Sequence, residues 1–349
     1  MKAWVVARHE QPLECVELPD PVPAGTEVVL EVTRCGVCHS DLHFWHGSYN
    51  LGGGKVMSIR DRGVTLPRAP GHEVTGRVVA VGPDAQGVRV GDERIVYPWI
   101  GCGRCARCLS GDDNLCLAQR SLGVMEHGGF GSRVKVPHPR YLVEYDGIDP
   151  SLAATYACSG LTVYSAIQKI MPLGPDEPVL LIGAGGLGLA AISMLRALGH
   201  RRIVSLDLSP AKRGAAEQAG ATDTVDGGED AAARVLQAAG GPVPAVLDFV
   251  NTSETAKAGL DVLAKGGRLV LVGVAGGELT LSLAAMIFRA QSVVGSNTGT
   301  VADLRAVVAL GRSGKLASTP VQEFPKDAAN EALMRLHGGE VIGRAVLVA

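Results

Sequence analysis

Aromatic residues are scarce in this chain, at 4%. Its core must therefore be built from Val, Leu, Ile and Ala. Net charge is nearly absent, with a formal value of −2 at pH 7, which argues against a nucleic-acid or anionic-membrane binder. No apolar run reaches the roughly 18 residues of a membrane span. The longest candidate, Val179–Leu198, is interrupted by glycines and reads as a strand, a turn and a helix. The start of the chain, Met1–Glu10, carries charge too soon after a short apolar run for a secretory signal, so a cytoplasmic location is expected. Glycine is abundant, at 46 residues, but has no three-residue period, which excludes a collagen-like chain.

Cysteine and histidine are nearly missing from the C-terminal part. Seven of the eight cysteines and seven of the nine histidines precede residue 150. Four of them form the run Cys102-x2-Cys105-x2-Cys108-x7-Cys116. In a reducing compartment that cluster reads as a metal site rather than a disulfide framework. Four thiolates from one loop leave no open position, as in structural zinc sites, with a rubredoxin-like iron site as the rival. The length of 349 residues suggests two domains, and 46% apolar with 19% charged residues marks a folded globular chain.

Two patterns divide the sequence. Residues 1 to about 150 carry short β-rich runs, Glu27–Val32, Val74–Val81, Arg94–Tyr97 and Ser132–Val136, bounded by Gly/Pro turns, and predict a mostly β, barrel-like domain. Residues 50–70 read as a long loop and Ser151–Ile170 as a helix. From Pro178, near-continuous apolar strands (Val179–Ile182, Ile203–Leu206, Ala245–Phe249, Arg268–Val272) alternate with helical segments. That alternation predicts a doubly wound parallel sheet, a Rossmann α/β fold. The expected division is 1–155, 156–296, and a tail, 297–349, that returns to the first domain.

The first apolar strand runs into Gly183-Ala184-Gly185-Gly186-Leu187-Gly188, a G-x-G-x-x-G turn opening a helix. Such a turn lets a pyrophosphate approach the helix N-terminus. Asp207 lies 19 residues beyond Gly188 at the next strand end, where a carboxylate holds ribose hydroxyls. It repels a 2′-phosphate, so NAD is favoured over NADP, and Lys212 is a further candidate at the ribose. Elsewhere, Cys38, His72 and Cys158 offer two thiolates and an imidazole, enough for a three-ligand metal site with an open position. Taken singly, each is as readily a small buried hydrophobe or a satisfied polar group.

Together these motifs resemble the zinc-containing medium-chain alcohol dehydrogenases. The stretches Gly36-Val37-Cys38-His39-Ser40-Asp41, Gly71-His72-Glu73-x2-Gly76-x5-Gly82, the four-cysteine loop, Cys158-Ser159-Gly160-Leu161-Thr162 and the glycine turn follow in that family's order. The spacing is most similar to its tetrameric prokaryotic branch. The resemblance implies a GroES-like catalytic domain beside the Rossmann domain, two zinc ions per chain, NAD, and a homotetramer acting on medium-sized primary or secondary alcohols and the matching aldehydes or ketones. It implies a catalytic zinc on Cys38, His72 and Cys158, with Glu73 as alternative ligand and Asp41 orienting His72. It implies a structural zinc on Cys102, Cys105, Cys108 and Cys116. Ser40 and His43 would relay the proton, and His39 and Arg344 would contact the pyrophosphate. Thr162, Val272 and Val274 would line the nicotinamide, and Tyr49, Trp99, Ser121, Val124 and Asn297 the substrate pocket. A polyol dehydrogenase is the runner-up, disfavoured by Cys158. A non-catalytic NAD-binding protein would keep only one zinc.

Overall fold

The computed structural model describes all 349 residues. Its C-terminal half is built on six parallel strands in the spatial order Asp223–Asp226, Ile203–Asp207, Val179–Ile182, Val243–Asp248, Leu263–Leu271, Ser292–Gly295. Numbered along the chain this is the order 3-2-1-4-5-6 of a doubly wound dinucleotide fold. Val179–Ile182 is buried at all four positions, which explains its unbroken apolar sequence: helices cover both faces. The two edge strands escaped the sequence reading. Asp223–Asp226 and Ser292–Gly295 are short and largely exposed, so they carry no apolar run.

The other half is a seven-stranded sheet in the order Val321–Pro325, Arg344–Val348, Val28–Val37, Glu73–Val81, Glu93–Val96, Leu142–Val143, with Arg133–Val136 also paired to Val28–Val37. The ten-residue strand Val28–Val37 organises it. One half pairs Arg133–Val136 and the other Ala345–Val348, while Glu73–Val81 follows the opposite edge. The tail thus re-enters this sheet through its last two strands. Helix Val301–Arg312 packs between, on helix Leu161–Ile170.

Two expectations need correction. The supposed loop at 50–70 contains a hairpin, Ser48–Gly52 with Lys55–Ser58, and a helical turn at Arg60–Arg62. Its turn uses positive φ at Gly52, Gly53 and Gly54, so the glycines form a tight reversal rather than a flexible stretch. Ser151–Ile170 is three pieces: a helix, Pro150–Thr155, a π-helical turn, Tyr156–Gly160, and a second helix, Leu161–Ile170. The extra residue in the π turn changes the direction of the side chains it carries, Cys158 among them.

Candidate catalytic metal and cofactor site

Strand Val28–Val37 ends at Cys38, whose extended backbone caps helix His39–His46. Asp41, in the first turn of that helix, ties three segments together. Its Oδ2 accepts the Cys38 N–H at 2.9 Å, its Oδ1 accepts the Gly71 N–H at 2.9 Å, and Oδ1 lies 3.4 Å from His72 Nδ1. Gly71 has φ +93°, and a side-chain carbon there would lie 2.5 Å from the Phe130 ring, so only glycine brings His72 to this place. The π turn delivers Cys158 from the other side. The ligand atoms of Cys38, His72 and Cys158 all lie within 4.8 Å of one another, and all three residues are buried.

Neither ring nitrogen of His72 has a hydrogen-bond partner of good geometry, although the residue is 1% exposed. A buried imidazole left so would cost about 1–3 kcal/mol, and a metal ligand would not. Two thiolates and an imidazole suit zinc, and three protein ligands leave the fourth tetrahedral position open. The Cys158 thiol donates toward Cys38 and holds its pKa well below the ordinary thiol range, while Cys158 is pushed well above it. Burial works against charge on His72, but Asp41 and Cys38 outweigh it and raise its pKa well above the usual value. Cation binding here therefore displaces protons.

The second cluster is a lobe of its own. Cys105 precedes the single helical turn Ala106–Leu109, which carries Cys108. The sulfur separations are 3.5 Å for Cys105–Cys108, 3.8 Å for Cys105–Cys116 and 3.9 Å for Cys102–Cys108. A tetrahedral site with metal–sulfur bonds of about 2.3 Å has sulfur–sulfur edges of about 3.8 Å. These three edges match such a site, and all four sulfurs lie within 4.8 Å of one another.

At the crevice between the sheets, Gly183 has φ +93° and a side chain at Gly188 would collide with the Gly183 carbonyl. Gly185 faces open space, and Gly186 begins the helix Gly186–Ala197. This leaves backbone N–H groups bare at a helix N-terminus, a seat for a pyrophosphate.

The N-terminal segment, residues 24–146, matches the alcohol dehydrogenase GroES-like domain, and residues 186–313 match the zinc-binding dehydrogenase family. The chain is 33% identical to the NAD-dependent alcohol dehydrogenase of Sulfurisphaera tokodaii over 100% of both chains. It is 32% identical to the D-arabinose 1-dehydrogenase (NADP(+)) of Saccharolobus solfataricus, over 99% of this chain and 97% of that one. The crystal structure of the alcohol dehydrogenase from Aeropyrum pernix superposes with a TM-score of 0.91 at 30% identity, covering 100% of both chains. The chain belongs to the zinc-type medium-chain alcohol dehydrogenase family.

Within this family member, several side chains are occupied in ways the sequence did not reveal. Glu73, expected as an alternative zinc ligand, forms a buried ion pair with Arg344, Nη2 to Oε2 2.6 Å, and its Oε1 accepts the Ser159 N–H at 3.1 Å. Burial raises its pKa, and Arg344 is the main force opposing that. Arg344 keeps its contact with the cofactor turn, because its Cδ lies against Gly186. The residue thus spans both halves of the molecule. Burial holds the His39 pKa below the usual histidine value; Cys38 opposes that, and the charges of Arg344 and Lys212 add to the lowering.

Asp207 sits at its strand end as expected, yet each carboxylate oxygen already accepts a backbone N–H, from Ala184 at 2.7 Å and Ser209 at 2.9 Å. Each oxygen retains a lone pair for a ribose hydroxyl. Arg213, missed in the sequence, folds back along its helix and donates to the Asp207 and Leu208 carbonyls at 2.8 and 2.9 Å. Thr162 is buried with its hydroxyl unpartnered. Val272 is held at its strand end by an N–H bond to the Asp248 carbonyl, and Val274 is 47% exposed. Leu187 lies half-buried in the first turn of the helix.

Ser40 and His43 stand three residues apart on helix His39–His46. The His43 ring stacks on Tyr49, with centroids 4.7 Å apart. Trp99 packs against His72 at 5.2 Å, with its indole N–H buried and unpartnered. Ser121 and Val124 are buried. Asn297 donates its side-chain amide to the Asn114 main-chain carbonyl at 3.2 Å, and its own main-chain carbonyl accepts from the Asn114 side chain at 2.8 Å, so it also braces the cysteine lobe.

Proposed function

We propose that this chain catalyses the reversible NAD-dependent oxidation of medium-sized primary and secondary alcohols to aldehydes and ketones. The observation that carries this reading is the convergence of Cys38, His72 and Cys158, with one coordination position left, beside a glycine turn suited to a dinucleotide. When bound there, zinc supplies Lewis acidity toward an alcohol or carbonyl oxygen and NAD accepts or returns the hydride. The protein's own groups do the rest. Asp41 fixes the ring of His72. Trp99 and Tyr49 shield the site from water. Ser40 passes the hydroxyl proton outward, and His43 receives it. Burial, followed by the charge of His39, holds the His43 pKa below the usual histidine value, which favours the neutral ring that can accept a proton.

The finer expectations belong to the same proposal. Two zinc ions are bound per chain, one closed by Cys102, Cys105, Cys108 and Cys116. The catalytic part comprises 1–155 and 297–349, and the cofactor part 156–296. No helix is long and apolar enough to cross a membrane, and a cytoplasmic enzyme is proposed. Homotetramer assembly is supported by helix Leu283–Arg289, where Leu283, Ile287 and Phe288 are each at least 75% exposed, beside the edge strand Ser292–Gly295. Such a patch is unusual on a monomer.

Metal analysis and an alcohol panel scored by NADH absorbance test the reading, with D-arabinose included. Cys158→Ser is expected to abolish turnover and remove one of two zinc ions while NADH binding persists. Normal turnover by that variant, or a single zinc in the unaltered protein, would overturn it.

A further inference from the structure

The cysteine lobe does more than close on its own ion. Residues 296–299 leave the C-terminal end of strand Ser292–Gly295, the sixth strand of the cofactor sheet. In an open parallel sheet the ligand lies at these strand ends. The Ser296 N–H bonds to the Leu271 carbonyl at 2.9 Å, which joins the segment to the strand that leads into Val272. A side-chain carbon at Gly299 would lie 2.9 Å from the Leu161 carbonyl, next to Thr162. The segment therefore forms a wall between the two elements proposed to line the nicotinamide.

This wall is held from the catalytic half. Asn114 and Asn297 exchange two hydrogen bonds, and the Tyr97 hydroxyl donates to the Gly299 carbonyl at 2.8 Å in a fully buried contact. Both anchors are tied to the thiolate lobe. Asn114 follows Asp113, whose carbonyl accepts the Cys116 N–H at 3.1 Å. Tyr97 stacks on Tyr141, whose hydroxyl donates to the Asp113 carboxylate at 2.9 Å. Between the anchors stands Thr298, with φ +45° and a buried, unpartnered hydroxyl. A β-branched residue in that region is strained, and it persists only where its surroundings over-determine it.

We propose that Asn114 and Tyr97 are positioning residues for the nicotinamide half of the cofactor, and that the four-cysteine lobe acts through them as a clamp on residues 297–299. The inference rests on the proposed use of NAD. The clamp grips only one end of the cofactor crevice, because the pyrophosphate seat at the glycine turn and the ribose site at Asp207 follow strands three and four places away in the sheet order. Loss of the clamp should therefore weaken ligands that carry a nicotinamide and spare those that do not.

The test compares NADH with ADP-ribose, which lacks the nicotinamide, by calorimetric titration of the zinc-loaded protein, Asn114→Ala and Tyr97→Phe. Tyr97→Phe removes one hydroxyl and keeps the buried ring. Both variants are expected to retain the full zinc content and the ADP-ribose affinity while binding NADH roughly tenfold more weakly, near the upper end for one lost hydrogen bond. The KM for NAD should rise with it. Equal loss for both ligands, no loss for either, or loss of lobe zinc in both variants would overturn the clamp. Failure of the unaltered protein to bind NADH would instead overturn the cofactor reading itself.

Discussion

Replacing Arg344 with Leu should expose the energetic cost of placing Glu73 where it is. The side chains of Arg344 and Glu73 are 3% and 0% exposed, with Nη2 and Oε2 2.6 Å apart. Leu fills part of the space of the Arg stem and removes the charge and its donors. Glu73 would remain buried with one hydrogen bond, from Ser159. Removing one partner of such a pair costs about 3–5 kcal/mol. For unfolding of the whole chain as one unit, an entropy of about 2.1 cal/mol/K per residue converts that to a fall of roughly 4–7 °C in Tm. The deficit should depend on pH with a definite sign. Burial already raises the Glu73 pKa, and Arg344 is the largest influence lowering it, so the variant's carboxyl is raised further above its unfolded value. A group raised in this way destabilises the fold increasingly as pH climbs from the unfolded pKa through the folded one. The gap between the two proteins should therefore be wider at pH 7.5 than at pH 5. Glu73→Gln in the same molecule as Arg344→Leu removes the stranded charge and should recover much of the loss. Scanning calorimetry at both pH values checks each step. A double variant no more stable than Arg344→Leu, or a gap that narrows as pH rises, would refute the reasoning.

Cys105→Ser should release one zinc and lower Tm, because a closed thiolate site contributes folding free energy directly; an unchanged melting profile would contradict a structural role. Asp207→Gly should weaken NAD binding by about 1.5–3 kcal/mol, the worth of a charge-assisted hydrogen bond. It should also relax discrimination against NADP, with Arg213 close by to meet a 2′-phosphate, and the ratio of kcat/KM values for the two cofactors is the measurement. His43→Ala should slow alcohol oxidation at neutral pH by about 10²-fold or less, with zinc content unchanged. Its deficit should shrink as pH rises and hydroxide takes over the proton. A deficit independent of pH would leave His43 as a packing residue beneath Tyr49.

Features confined to a short stretch were legible before any fold was known. The four cysteines span 15 residues, so their spacing already contains most of the site's geometry. The glycine turn declared itself for the same reason, with an apolar strand before it and a helix after it. The buried strands of the cofactor sheet were legible because two covering layers force every position to be apolar. The exposed edge strands and the hairpin at Ser48–Ser58 were not, because no core face marks their period. Residue type made Cys38, His72 and Cys158 candidate ligands, but only the resemblance joined them in one site, since nothing local says that three distant residues meet.

The sequence by itself determined which residues could carry the chemistry: thiolates and an imidazole for a metal, glycines for a phosphate, an acid for a ribose. Tertiary structure alone decided what those residues are free to do. It spent Glu73 on Arg344, occupied Asp207 with two backbone donors and turned Asn297 toward Asn114, across 183 residues of chain. The physical reason is that chemical capacity belongs to a side chain. Its partners, and the burial that makes a missing partner costly, exist only once distant segments are packed together.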